Sequence, residues 1–312
     1  MPTLNEPEQT SVLVIGEALM DIIKSTNGTE VHPGGSPYNI ATGLAGLGMD
    51  VRFHSQIGSD FNGKKLKSLL AEAGVSVTPE SFVAGATSTA TAHLNESGAA
   101  EYDFEISWDI PSPVYNREAV VHIGSIAAFL KPGAGIIADW LASVNSQVMV
   151  TFDPNIRPSI IGPLEENFAQ FERIAARADV LKMSDEDSEY LFPGKSPQEV
   201  TQLLVEKYRV KLAVVTRGAL GAVAATKSGA HEHPARKVTV KDTIGAGDSF
   251  MTGLINALAI WPHSFGKLTF GCFEDLDLFS VINFASECAA FTVGQVGAVM
   301  PSKIEMDSGI ID

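Results

Sequence analysis

Residues 242–260 read DTIGAGDSFMTGLINALAI. Phe250, Met251, Leu254, Ile255, Leu258 and Ala259 return at helical spacing, which predicts a helix over 247–260 with Gly245, Ala246 and Gly247 at its entrance. Small residues let the backbone approach a ligand closely. Free N–H groups at a helix start point at that ligand, and the helix dipole favours negative charge there. The stretch therefore reads as an anion hole suited to a phosphoryl group in transit. Asp248 stands beside the hole. A carboxylate there would repel a phosphate held permanently, but it can accept a proton from an attacking hydroxyl, help worth about 10²–10⁴-fold. An ordinary Asp N-cap behind a glycine turn fits the same residues, and the physics of this stretch alone leaves both readings open.

Upstream of that helix, strand-like and helix-like segments alternate. Strands are predicted at 11–16, 51–57, 119–123, 148–152, 179–183 and 212–216, rich in Val and Ile and bounded by Gly, Pro, Asp or Ser. Several are apolar on both faces, as strands of a buried parallel sheet are. Helices are predicted at 38–47, 62–73, 134–144, 165–177, 197–208, 247–260 and 277–292. The alternation implies a three-layer α/β/α sandwich with a mostly parallel central sheet. Two regions depart from it. TATAHL and EYDFEI, within residues 84–110, flank Asn95-Glu96-Ser97-Gly98 and read as a β-hairpin. Residues 22–33 supply another extended pair around Asn27-Gly28. Both are assigned to a small β-sheet lid inserted into a single α/β domain spanning 1–312.

Composition excludes several function classes. The 312 residues carry 22 Lys+Arg against 37 Asp+Glu, a formal charge of −15. No basic cluster is present to hold a nucleic-acid backbone, and the acidic balance disfavours docking on an anionic membrane. A hydrophobic fraction of 45% suffices for a large core. Apolar runs break before about 18 residues, so no transmembrane helix is expected. The polar N-terminus MPTLNEPEQT lacks the pattern of a secretory signal, and Cys272 and Cys288 give no disulfide framework. A cytoplasmic protein is expected.

Further segments fall at the ends of predicted strands, where open α/β sheets bind ligands. Gly16-Glu17-Ala18-Leu19-Met20-Asp21 offers Asp21 as an acceptor for two sugar hydroxyls, or simply a solvated turn carboxylate. Pro33-Gly34-Gly35-Ser36-Pro37-Tyr38-Asn39 exposes backbone at Gly34 and Gly35 to a small polar ligand, and Asn39 carries both donor and acceptor. Taken alone, the segment reads better as a loop and N-cap with small residues for close helix packing. Asp153-Pro154-Asn155-Ile156-Arg157 offers Arg157 to a phosphate or carboxylate oxygen. Ser184-Asp185-Glu186-Asp187 has carboxylates that can hold water around Mg²⁺, or simply begins a helix. Three patterns fall short. Gly58-Ser59-Asp60-Phe61-Asn62-Gly63-Lys64-Lys65 fits GxxxxGK, but Lys65 stands where a P-loop needs Ser or Thr, and Asp60 would face the phosphates. Phe250 breaks GxGxxG, which weighs against a nicotinamide oxidoreductase. His231 and His233 lie on a polar stretch without further metal ligands and read as solvated.

Taken together, GEALMD, PGGSPYNIATGLAGLG at 33–48, the GxDxxG-type element at 58–63, DPNIR, an acidic S-x-x-D, TRG at 216–218 and DTIGAGDSF resemble, in order, the motifs of the ribokinase-like (PfkB) family of carbohydrate kinases. The resemblance spans about residues 11–301. It implies ATP and Mg²⁺ as cofactors and assigns roles. Asp248 would be the base and Gly245, Ala246 and Gly247 the anion hole. Asp21, Gly34, Gly35 and Asn39 would bind the sugar, with Arg157 near its reactive end. Ser184 and Asp187, where the family often has Asn-x-x-Glu, would help place nucleotide and Mg²⁺. Thr216, Gly218 and Gly221 would border the ATP phosphates and ribose, and Asn283 would lie near adenine. The tail Thr292–Ala298 lacks the Arg that often precedes the family's Gly-Ala, which weakens the expectation of a potassium site at Asp242. Tyr102 and Phe104 share one strand face, and with Ile106 and Trp108 they suggest a homodimer through the lid. Within the family, GGSPYN, EYDFEISWD and FDPNIRP are most similar to bacterial fructokinases, with 2-keto-3-deoxygluconate kinase as the alternative. A non-catalytic sugar or nucleotide sensor on the same fold is the reading from another class; the intact Asp248 and glycine turn oppose it.

Overall fold

Strand β1 (Ser11–Ile15) buries Val12 and Val14 on one face and Leu13 and Ile15 on the other, all four without exposure. Successive residues of a strand face opposite sides of its sheet, so a helical layer must cover each side. The computed structural model, which describes residues 10–25, 28–94, 100–260 and 277–309, shows both layers. On the Val12 side lie α1 (Ser36–Gly46), α2 (Phe61–Glu72), α8 (Ala246–Ile260) and α9 (Leu278–Val293). On the Leu13 side lie α3 (Gly133–Leu141), α5 (Leu164–Ala175) and α7 (Pro197–Lys207). Short helices α4 (Pro158–Ile161), α6 (Asp185–Leu191) and α10 (Lys303–Ser308) complete the described set.

The central sheet has nine strands among the described residues, in the order β13-β12-β11-β10-β9-β8-β1-β4-β5. Here β4 is Asp50–His54, β5 Ser76–Val77, β8 Val120–Gly124, β9 Met149–Asp153, β10 Val180–Ser184, β11 Leu212–Thr216, β12 Ala222–Thr226 and β13 Gly229–His233. Every pairing from β5 to β11 is parallel, and β12 and β13 close the edge antiparallel. The three-layer sandwich expected from the alternation is present. The strand predicted over 51–57 stops at His54, because Ser55 N–H turns away to donate to Ser81 Oγ at 2.9 Å.

A second sheet has the order β3-β2-β6-β7, with β2 at Leu19–Ser25, β3 at Gly28–Gly34, β6 at Thr89–Leu94 and β7 at Ala100–Glu105. These are the strands expected in the lid. The hairpin turn at Asn95–Gly98 and the turn residue Asn27 lie outside the described residues. Asp60 caps α2 by accepting from Gly63 N–H at 2.8 Å, and it also accepts from the Thr87 hydroxyl at 2.6 Å and from Thr87 N–H at 3.1 Å. The GxxxxGK look-alike is thus a tie between α2 and the chain entering β6. Tyr102 and Phe104 do share a face, their rings stacked 5.9 Å apart and exposed. Trp108 corrects the expectation of an apolar lid surface. It is 3% exposed, in the core on the α3 side, and its carbonyl accepts from Gly133 N–H.

Candidate active site

The chain runs outward from β1 in two directions, to β4 on one side and β8 on the other. Such a switch point opens a crevice at the carboxyl ends of the strands. Glu17 follows β1 and bridges it: its carboxylate accepts from Ala127 N–H, beyond β8, at 3.2 Å. Burial pushes the Glu17 carboxyl up from 4.5 to about 7, against the pull of Ser125 and the backbone. A carboxyl raised in the folded state contributes stability that is fully present below its unfolded value and is lost as pH rises through the folded value. The window runs from about 4.5 to about 7, and the shift corresponds to about 3 kcal/mol. Thermal melts of Glu17→Gln and wild type should therefore show the variant gaining on wild type from pH 5 to pH 8. A constant difference across that range would refute the shifted carboxyl.

Asp248 is the third residue of α8 and 8% exposed. It is not the N-cap that the sequence also allowed. Its carboxylate accepts from two side chains of α1: the Ser36 hydroxyl at 2.6 Å and the Asn39 amide at 2.8 Å. Two donors on two different oxygens fix the plane of the group. Gly245 precedes it with φ +78°, and a Cβ there would stand 2.8 Å from the Ala298 Cβ and 3.0 Å from its Cα. The tail thus packs directly on the glycine turn. Asp242 ties the two together, accepting from Ile244 N–H at 3.0 Å and Gly297 N–H at 2.9 Å.

Register places the next residues. Leu19 pairs with Gly34 and Asp21 with His32 across β2 and β3, so Asp21 comes to lie on Gly34, where a Cβ would overlap its carboxylate. Burial raises the Asp21 carboxyl, and His32 pulls it the other way. Gly35 stands between the lid strand β3 and α1, as the N-cap of α1. Asp21, Gly34, Gly35, Asn39 and Asp248 are therefore linked by direct contact or adjacency. Arg157 lies beyond β9, exposed, its guanidinium donating to the Ile156 carbonyl at 2.9 Å.

Ser184 and Asp187 form a capping box on α6. Asp187 is buried, accepting from Ser184 N–H at 3.0 Å on one oxygen and from Ile156 N–H at 2.7 Å on the other. Thr216 ends β11 opposite Ser184. Gly221 takes φ +85°, and a side chain there would also collide with the His233 carbonyl. Asn283 lines a cavity with His233, Pro234, Arg236, Phe279 and Ser286, a slot floored by the His233 and Phe279 rings 6.1 Å apart. His233 is 7% exposed, which corrects its reading as solvated; His231, two residues earlier on the edge strand, is exposed.

Sequence reasoning missed three groups here: Ser36, Glu17 and Lys182. A Lys within the apolar strand VLKMS was the one visible signal for the last. Its ammonium donates to Asp153 Oδ2 at 2.8 Å, and the pair is 4% and 0% exposed. Burial alone would lower the amine; Asp153, Asp187 and Asp248 outweigh it and hold it as an ammonium. Burial pushes Asp153 up to about 6 against the pull of Lys182.

Comparison with known proteins gives a family and close structural likenesses. Residues 9–305 match the pfkB family carbohydrate kinases. The chain is 28% identical over 310 residues to the fructokinase of Escherichia coli, an alignment covering 95% of this chain and 98% of that one. The fructokinase of Xylella fastidiosa with bound ATP is similar at a TM-score of 0.82 and 27% identity, over 96% of this chain and 97% of that one. The fructokinase of Vibrio cholerae O395, in a form with fructose, ADP and calcium ion bound, is similar at a TM-score of 0.78 and 26% identity, over 93% and 94%.

Proposed function

This chain belongs to the pfkB family of carbohydrate kinases, and on that premise we propose that it transfers the γ-phosphoryl group of MgATP to O6 of fructose. The observation that carries the chemistry is the buried Asp248 carboxylate at the first turn of α8, oriented by Ser36 and Asn39 behind the Gly245 turn. The sugar would lie between that carboxylate and Asp21, with Gly34 and Gly35 giving it backbone. As the hydroxyl oxygen forms its bond to the γ-phosphorus, its proton passes to Asp248, the bond from that phosphorus to the bridging oxygen breaks, and ADP leaves. The first N–H groups of α8 have no partner within the helix and meet the charge on the transferred group.

Ser184, Thr216, Gly218 and Gly221 line up along adjoining strand ends, which suits the phosphates and ribose. The slot around Asn283 suits the base. No cluster of three or more His, Cys, Asp or Glu able to hold a metal occurs among the described residues. Mg²⁺ is usually carried in on phosphates with few protein ligands of its own. Asp187 would meet its water shell, since each of its oxygens keeps a lone pair beyond its one backbone bond. When bound, Mg²⁺ neutralises phosphate charge. The Asp242 oxygens are turned to the backbone, and a potassium role for them is not proposed. The exposed Tyr102–Phe104 face of the lid suits a second copy of the chain. No helix of the described residues is long and apolar enough to cross a membrane.

One observation favours a second reading. Arg157 is exposed and makes no ion pair among the described residues, so its charge is open to a substrate carboxylate such as that of 2-keto-3-deoxygluconate. A coupled ADP-release assay with MgATP, comparing fructose, 2-keto-3-deoxygluconate, ribose, adenosine and no sugar, separates the two. Turnover with fructose is expected. Turnover with the keto acid alone would transfer the assignment to it, and no turnover with any acceptor would overturn the kinase reading for these sugars.

A further inference from the structure

Lys182 sits on the face of β10 turned to α8, since Val180, two residues earlier, belongs to the core on that side. Its Nζ lies 3.1 Å from where a Cβ on Gly247 would stand. The ammonium is therefore pressed against the first turn of α8, and the glycine leaves it room. That is the wrong end for a structural cation. A helix start carries partial positive charge and favours anions. An ammonium has three donors, and Asp153 is the one acceptor it meets among the described residues. A buried ion pair is also weak support for a fold, because apolar residues of similar volume often serve as well.

Its neighbours carry more negative than positive charge, so what marks this ammonium is its position under Gly247 and its remaining donors. Asp153, Asp187 and Asp248 are the carboxylates whose fields it feels. His122, on β8 and bonded to Thr151 at 2.9 Å, is held neutral by burial and by Lys182 itself. Asp153 keeps Oδ1 without a partner among the described residues, so the pair is not closed upon itself. A cation with unmet donors, fixed where a helix end already attracts anions, suits a site that receives a further negative group.

We propose that Lys182 is a positioning residue of the phosphoryl-transfer centre: held by Asp153 beneath Gly247, it is the internal counter-cation for the γ-phosphoryl group that the start of α8 receives. It acts through the first turn of α8 and not by touching the sugar. The inference rests on the kinase reading above, and its test is chosen to fail separately from it.

Lys182→Met keeps length and shape but leaves Asp153 buried and unpaired, so Lys182→Met/Asp153→Asn is the deciding variant. Calorimetric titration without sugar, using Mg²⁺ with ADP or with β,γ-imido-ATP, reads the γ-phosphoryl contribution directly. Wild type should prefer the triphosphate, and the double variant should lose about 10-fold or more of that preference while its ADP affinity stays within about 3-fold. With the sugar that wild type turns over, kcat should fall about 10-fold or more and the sugar KM should hardly move. A double variant that melts near wild type and keeps both the triphosphate preference and kcat would overturn the proposal. Failure of wild type to phosphorylate any sugar would instead sink the kinase reading, because the nucleotide ratio is measured with no sugar present.

Discussion

Asp248→Asn is expected to lower kcat by about 10²–10⁴-fold while sugar and nucleotide still bind. The substitution is nearly isosteric and the fold should tolerate it. The Ser36 hydroxyl, now a donor at 2.6 Å, can turn to accept from an amide, and the remaining amide oxygen can still accept from Asn39. What disappears is the ability to take a proton from the attacking hydroxyl. The glycine turn and the helix N–H groups remain, so residual transfer above background is expected, as is an unchanged sugar KM. A merely structural Asp248 makes the opposite prediction, a loss of about 1 kcal/mol in stability from its weakened buried hydrogen bonds with turnover preserved. Steady-state kinetics beside thermal melts decide between them, and kcat within about 3-fold of wild type would end the general-base assignment.

Much of this arrangement is legible in the amino-acid sequence. Strand β1 shows itself because a strand covered on both faces must be apolar at every position, and Val12 to Ile15 are. The lid strands show because their residues alternate, and an alternating strand has one face to keep out of a core. Asp248 and the glycine turn show because the local backbone makes their chemistry. What stays hidden depends on contacts far apart in sequence. Ser36 reaches Asp248 only because α1 packs beside α8, 212 positions later. The spacing S-x-x-D is the same for a metal helper and a cap, and the Ile156 N–H that claims Asp187 comes from a neighbouring strand end. Trp108 follows an exposed strand yet folds under α3. Lys182 is visible as an anomaly, but its meaning requires knowing that β9 lies beside β10 and that α8 begins above them both.

Gly35→Ala should be nearly as damaging to turnover as loss of the base, although Gly35 carries no side chain to take part. Its backbone stands at φ 104° and ψ 127°, where L side chains are rarely tolerated. Such positions cost about 1–3 kcal/mol. Space is lacking too: the new Cβ would lie 2.6 Å from the Glu17 carbonyl oxygen and 3.3 Å from its carbon. Those are backbone atoms at the switch point, so relief must come from moving the chain that joins β3 to α1. The residue after Gly35 is Ser36, and Asn39 follows within the same turn; these are the two donors that orient Asp248. A displacement of about 1 Å at such a position can cost about 10²-fold in rate, and a fall of that order in kcat/KM is expected with a lowered melting temperature. Gly74→Ala supplies the control. Gly74 also has positive φ, +80°, but a Cβ there meets nothing within 4 Å. It should lose stability through backbone strain alone and keep its kcat. If Gly35→Ala behaved like Gly74→Ala, less stable but fully active, then the turn would not position the base, and the coupling from β1 through Gly35 to Asp248 would be refuted.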